Sequence, residues 1–208
     1  MNRGTDLRRA AEMAYRVLID RQVTALPVDP MNLLRQCRDT QVMTYEDAAE
    51  ALGMTADDFD RRFGTADAFT LRQEHAGNEH YQVIYRAGGN PARQRFTLAH
   101  ELGHRVLGHR TANTASEREA DCFASHLLCP RPVIARLAGR CDPLYAEQLA
   151  ALCYVSVACA RAAAVQVQNI DEGILQAVDE LLRTAVAGKV PVVKQNCLHK
   201  LVFGANDF

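Results

Sequence analysis

What this chain lacks narrows it first. Its seven cysteines (37, 122, 129, 141, 153, 159 and 197) contain no Cys-x-x-Cys pair, which argues against a cysteine-based zinc site. Their number is odd, and several lie in apolar helical stretches where a free thiol behaves as a small hydrophobe. Reduced thiols and a cytoplasmic location are therefore expected. Excess charge is missing too: 24 basic against 25 acidic residues give a formal net charge of −1, so nothing global points to nucleic acid or a membrane surface. No apolar run approaches the ~20 residues that span a bilayer. Met1 to Gln22 is polar and helix-periodic, which is not the pattern of a signal peptide. There is no internal repeat and no low-complexity run. Lysine is confined to positions 189, 194 and 200 while arginine is frequent, a pattern read as coding bias. What remains is a chain of 208 residues, 48% apolar, enough for one ordinary domain with a small appendage.

The most informative stretch is Arg95 to His104, which holds His100-Glu101-Leu102-Gly103-His104. Two histidines four apart on a helix lie one above the other on the same face, so both imidazoles reach one metal ion. Glu101, beside the first, is placed to act as general base on an activated water. A zinc site with an open position needs a third protein ligand. Thirteen residues downstream runs Glu117-Arg118-Glu119-Ala120-Asp121-Cys122-Phe123-Ala124, with Glu117 and Asp121 one helical turn apart on one face. An N-terminal capping box also fits here, as Thr114-x-x-Glu117 or Ser116-x-x-Glu119, but a cap uses only one of the two glutamates. Glu119 stays open as the alternative third ligand.

Arg95 to His104, then Leu107-Gly108-His109, Glu117 to Ala124 and Leu127-Leu128-Cys129-Pro130, together resemble the ImmA/IrrE family of zinc metallopeptidases. The likeness reaches more weakly to Pro27 to Pro30 and to Val155-Ser156, covering roughly residues 8 to 168. Two departures show: Asp121 stands where many relatives have Asn, and Cys129 replaces the usual Met before Pro130. The resemblance implies zinc held by His100, His104 and Glu117, in the gluzincin pattern of a Glu ligand with an Asp four residues on. That pattern favours Glu117 over Glu119. Asp121 would then orient a ligand histidine, and Glu101 would move the proton from water to the leaving amine. A further oxyanion donor is sought in Tyr81, Tyr85 or His80. The resemblance also suggests the substrate. Relatives cut helix-turn-helix repressors and release stress-response or mobile-element genes, and others sit beside such a regulator in toxin–antitoxin-like pairs. The expectation is a zinc endopeptidase with a repressor as substrate or an antitoxin as partner. The alternative is a toxin with other chemistry, neutralised by a DNA-binding antitoxin.

Periodicity lays out an α+β fold that is mainly helical. A small antiparallel sheet beside the His-Glu helix forms a zincin-like core, and a helical part follows. Residues 1–140 are expected to form the peptidase domain, 141–188 a helix-turn-helix-like extension packed on it, and 189–208 a tail. Helices are expected over 5–22, around Leu33 and Leu34, over 46–52 and 56–63, from Pro91 to Leu107, over 114–129, to about Leu137, and over 145–153, 156–167 and 170–188. Asp57, Asp58 and Asp60 are read as a solvated face at a helix start. Gln41 to Thr44, Asp67 to Gln73 and Tyr81 to Tyr85 read as strands, the last two a hairpin across the His75 to Asn78 turn. Gln82, Val83, Ile84 and Tyr85 are the candidate edge to which a substrate peptide adds by main-chain hydrogen bonds. Gly103 costs a helix about 1 kcal/mol relative to Ala, which suggests that another backbone approaches there. His109, five residues past His104, is off the ligand face and reads as a helix-end residue, and His126 as structural. The 156–167 helix carries only Ser156, Arg161 and Gln166 as polar residues. It suits packing better than groove reading, so direct DNA binding is not expected. Val190 to Val193 is a possible strand, and Cys197 and His199 have no ligand spacing.

Overall fold

Asn90 and Pro91 start the helix on which the rest is assembled. The Asn90 side chain accepts from the N–H groups of Ala92 and Arg93, and Pro91 fills a first-turn position whose N–H would have no helical partner. The helix, α5, runs Pro91–Leu107 and stops at Gly108, whose φ of 71° is left-handed. The structure, a computed structural model, describes residues 5–64, 66–75, 77–139, 144–164, 167 and 169–187. Before α5 come α1 (Leu7–Asp20), α2 (Pro30–Arg35), β1 (Thr40–Thr44), α3 (Tyr45–Ala51), α4 (Ala56–Phe63), β2 (Ala68–His75) and β3 (Asn78–Tyr85). After it come α6 (Thr114–Leu128), α7 (Arg131–Ala138), α8 (Ala146–Cys153), α9 (Val157–Ala164) and α10 (Glu172–Val186). The expected 190–193 strand, Cys197 and His199 lie outside the described residues. No described helix is long and apolar enough to cross a membrane.

The fold is α+β, and its sheet is mixed instead of wholly antiparallel. The strand order is β1-β3-β2. The hairpin β2–β3 is antiparallel, Ala68 opposite Tyr85 and His75 opposite Asn78. β1 joins the other side of β3 in parallel, Thr40 opposite Tyr81 and Thr44 opposite Tyr85. Gln82, Val83, Ile84 and Tyr85 therefore sit in the central strand, with Gln82 flanked by Gln41 and Leu71. Their backbone is committed on both sides, so they offer no edge; the outer side of β2 does.

Strand alternation divides the apolar residues between two faces. Val83 faces the main core, which α1, α5 and α6 build from Ala10, Tyr15, Leu98, Leu102, Phe123 and Leu127, and which α7 to α10 extend. Ile84 faces a smaller cluster with Tyr45 and Phe59, where the Tyr45 and Phe59 rings meet edge-on at 5.2 Å. The buried side of α9 (Cys159, Ala160, Ala163) joins the main core, while Ser156 and Arg161 stay exposed. Gly103 lets α5 and α6 approach. A Cβ there would lie 3.0 Å from Phe123 Cδ1, so the close neighbour is an aromatic side chain and not the expected backbone. A polar pair, Tyr15 and His126, is buried with the core. Tyr15, fully enclosed, has its hydroxyl 2.7 Å from His126 Nδ1 and accepts from the Arg131 N–H at 3.1 Å. Burial, then the Arg131 charge, pushes the His126 pKa down to about 4.

Candidate metal centre and cleft

Three side chains converge where α5 crosses α6. His100 Nε2 lies 2.9 Å from His104 Nε2. Glu117 brings Oε2 to 3.2 Å from His100 Nε2 and Oε1 to 3.5 Å from His104 Nε2. The i, i+4 spacing on α5 supplies the imidazoles, and the first turn of α6 supplies the carboxylate. The α6 cap is neither of the two expected boxes. Asn113 accepts from the N–H groups of Ala115 and Ser116, and the Ser116 side chain bonds back to the Asn113 N–H. Both glutamates are thereby released from capping. Glu119 turns away from the cluster, its Oε2 3.0 Å from His109 Nε2, and the converging set is His100, His104 and Glu117.

Hydrogen bonds on the far side of each ring fix what this cluster can hold. His100 Nδ1 lies 2.9 Å from Asp121 Oδ1, and His104 Nδ1 lies 3.0 Å from His109 Nδ1. With the ring protons on Nδ1, both Nε2 lone pairs and the Glu117 carboxylate face one point. Three electron-rich atoms brought that close fit a cation, and two imidazoles with one carboxylate is a donor set suited to a divalent transition metal. Burial opposes protonation of His100, but the Asp121 hydrogen bond and the charges of Glu101, Asp121 and Glu117 outweigh it and raise its pKa. Burial and the His100 charge push His104 the other way, to about 4. A bound cation would add its own charge and favour the unprotonated form of both.

Glu101, the residue between the ligands, is buried beside the cluster. Burial raises its pKa, against the hydrogen bond from Thr70 and the His100 charge. Thr70 Oγ1 donates to Glu101 Oε2 at 2.6 Å. Thr70 was not legible as a site residue. It reaches α5 because Ala68, Thr70 and Arg72 share the face of β2 that also lines the cleft. The cleft, about 760 Å³, runs from β2 across α5 to Thr111 and takes in all three converging residues.

The three expected oxyanion donors separate. Tyr81 lines the cleft, but its hydroxyl is given to Glu79 at 2.6 Å, a bond that, with burial, raises its pKa. Tyr85 shares its face of β3 but lies one pleat repeat beyond Val83, against a smaller hollow with Arg86 and Asn90. His80, on the opposite face, is exposed and outside the cleft lining. Only Tyr81 of the three borders the site.

Comparison with known proteins locates this geometry. The profile of the IrrE N-terminal-like domain, a peptidase family, matches residues 56–164, just over half the chain. The radiation response metalloprotease IrrE of Deinococcus radiodurans is 34% identical over 80 residues, which cover 31% of this chain and 24% of that protein. The aligned part is thus about a quarter of that relative's length.

Proposed function

Because this chain belongs to the IrrE N-terminal-like peptidase family, we propose that it is a zinc-dependent endopeptidase of the cytoplasm whose substrate is a helix-turn-helix repressor. The observation that carries the peptidase is the convergence of two imidazole nitrogens and the Glu117 carboxylate beside a buried glutamate in an open cleft. His100, His104 and Glu117 would hold the metal, and their donor set is why zinc is preferred. When bound, the metal supplies Lewis-acid polarisation of the scissile carbonyl and lowers the pKa of water. Glu101 accepts the proton of the attacking water and delivers it to the leaving amine. Thr70 anchors Oε2, which leaves Oε1 for that transfer. Asp121 holds the His100 ring with its Nε2 toward the site. A peptide laid along the outer edge of β2 runs past Thr70 and Glu101, with main-chain hydrogen bonds setting its register. The repressor rests on the family resemblance: relatives act on such regulators, and a neighbouring regulator is the natural candidate.

The test pairs metal content with cleavage. Wild type and Glu101→Gln are each loaded with zinc and incubated with the regulator encoded beside the gene. Stoichiometric zinc in both, with cleavage by wild type only, is the expected result. Zinc in both with no cleavage by either would overturn the repressor substrate and favour a toxin held by its partner. No zinc in the wild type would overturn the metal site.

A further inference from the structure

Behind the ligand His104 lies a chain of polar groups that the proposed reaction does not use. It runs from His104 Nδ1 to His109 Nδ1 at 3.0 Å, from His109 Nε2 to Glu119 Oε2 at 3.0 Å, and from Glu119 Oε1 to the Asp6 N–H at 2.8 Å. The chain crosses four segments: α5, the turn after it, α6 and the residue that caps α1. It is well enclosed, with the His109 and Glu119 side chains 10% and 12% exposed.

With His109 neutral, the direction of every hydrogen bond in it follows from the carboxylate end. A carboxylate only accepts, so Glu119 takes one proton from the Asp6 N–H and one from His109 Nε2. A neutral His109 with its proton on Nε2 has an accepting Nδ1, which can only meet a donor. His104 must then carry its proton on Nδ1, and its Nε2, the atom facing His100 and Glu117, is left bare. The opposite tautomer of His104 would put a proton on the atom that must ligate. The turn makes this possible. Gly108 in the left-handed region lets His109 N–H bond back to the His104 carbonyl at 3.0 Å, which swings the His109 ring beneath its neighbour.

We infer that His109 and Glu119 are positioning residues that lock His104 in its ligating tautomer, and that through the Glu119–Asp6 bond the seating of α1 is linked to metal binding. This inference rests on the His100, His104 and Glu117 site proposed above. Partners that orient a ligand histidine are typically worth 10- to 100-fold in metal affinity. The linkage is reciprocal: whatever ordered α1 contributes to metal affinity, bound metal returns as ordering of the start of α1.

The test uses the full chain and zinc alone. Zinc affinity is measured by chelator competition for wild type, His109→Gln, His109→Phe and His100→Ala, after melting curves show each metal-free protein folded. A glutamine can accept from His104 Nδ1 through its amide oxygen and donate to Glu119 through its amide nitrogen; phenylalanine can do neither. Expected is affinity within about threefold of wild type for His109→Gln and a 10- to 100-fold loss for His109→Phe. Hydrogen exchange at the Asp6 amide should also slow on zinc loading in wild type and respond less in His109→Phe. Equal affinity for the Phe and Gln variants would overturn the tautomer lock, and an Asp6 amide indifferent to zinc in wild type would overturn the link to α1. His100→Ala separates this from the site itself. If wild type binds no zinc, or binds it as well as His100→Ala does, the metal site fails and the inference with it. If only the His109 variants behave alike, the site stands and the inference alone is lost.

Discussion

Tyr15→Phe should destabilise this protein far more than the loss of one hydroxyl from a surface would. The phenol is fully enclosed between α1 and α6, and its oxygen serves two groups at once. It accepts from the Arg131 N–H at 3.1 Å, so its own proton goes to His126 Nδ1 at 2.7 Å. Phenylalanine keeps the ring and its packing, so the change is confined to hydrogen bonding. It leaves the His126 imidazole acceptor without this partner in the interior. A buried polar group so stranded costs about 1–3 kcal/mol. For a chain of this size that is a fall of roughly 2–12 °C in melting temperature. Urea unfolding followed by far-UV circular dichroism, with the slope against denaturant unchanged, measures it directly. A second arm isolates the histidine: His126→Leu should cost less in the Tyr15→Phe background than in wild type, because the hydrogen bond is then already gone and the change removes the acceptor left stranded. A loss below about 0.5 kcal/mol for Tyr15→Phe, outside the range for stranded buried groups, would refute the reasoning.

The same histidine gives the fold an acid limit. In the unfolded chain it takes a proton near its ordinary value of 6.5, whereas burial in the fold delays this to about 4. The unfolded state therefore binds more protons between those values, and this contribution to stability is complete above about pH 6.5 and lost as pH falls toward 4. The gap corresponds to about 3 kcal/mol. His126→Gln should flatten the decline in that window, and parallel stability curves for the two proteins would refute the assignment. At the cleft, Thr70→Val removes the 2.6 Å hydrogen bond that anchors Glu101 while keeping side-chain shape. Peptide cleavage should fall about tenfold in kcat, with KM within about twofold and zinc content unchanged, since a hydrogen bond to a charged group is worth about 1.5–3 kcal/mol. An unaltered kcat would show that Thr70 does not orient the base.

The parts of this molecule that the sequence exposed are those that depend on one helix at a time. His100 and His104 are readable because 3.6 residues per turn bring positions four apart onto one face, and Glu117 with Asp121 is readable for the same reason on α6. The start of α5 is local chemistry and falls at Pro91, where the sequence places it. What stayed hidden depends on two elements meeting. Tyr81 to Tyr85 reads as a strand, but whether it is an edge depends on β1, forty residues upstream, and on a parallel pairing that no turn announces. Thr70 is an ordinary strand residue until β2 is laid against α5. His109 is the sharpest case. Helical spacing puts it on the wrong face, and only the left-handed turn at Gly108 carries its ring back under His104. Glu119 was weighed as a ligand because a glutamate next to Glu117 invites it, yet its carboxylate serves a histidine and a main-chain N–H instead. The atoms facing the proposed metal therefore come from local periodicity, whereas the atoms that decide where each proton sits come from tertiary contacts. Metal affinity in this chain should accordingly respond to substitutions in the turn after α5 and at the start of α1, regions that a motif alone would leave out of the site.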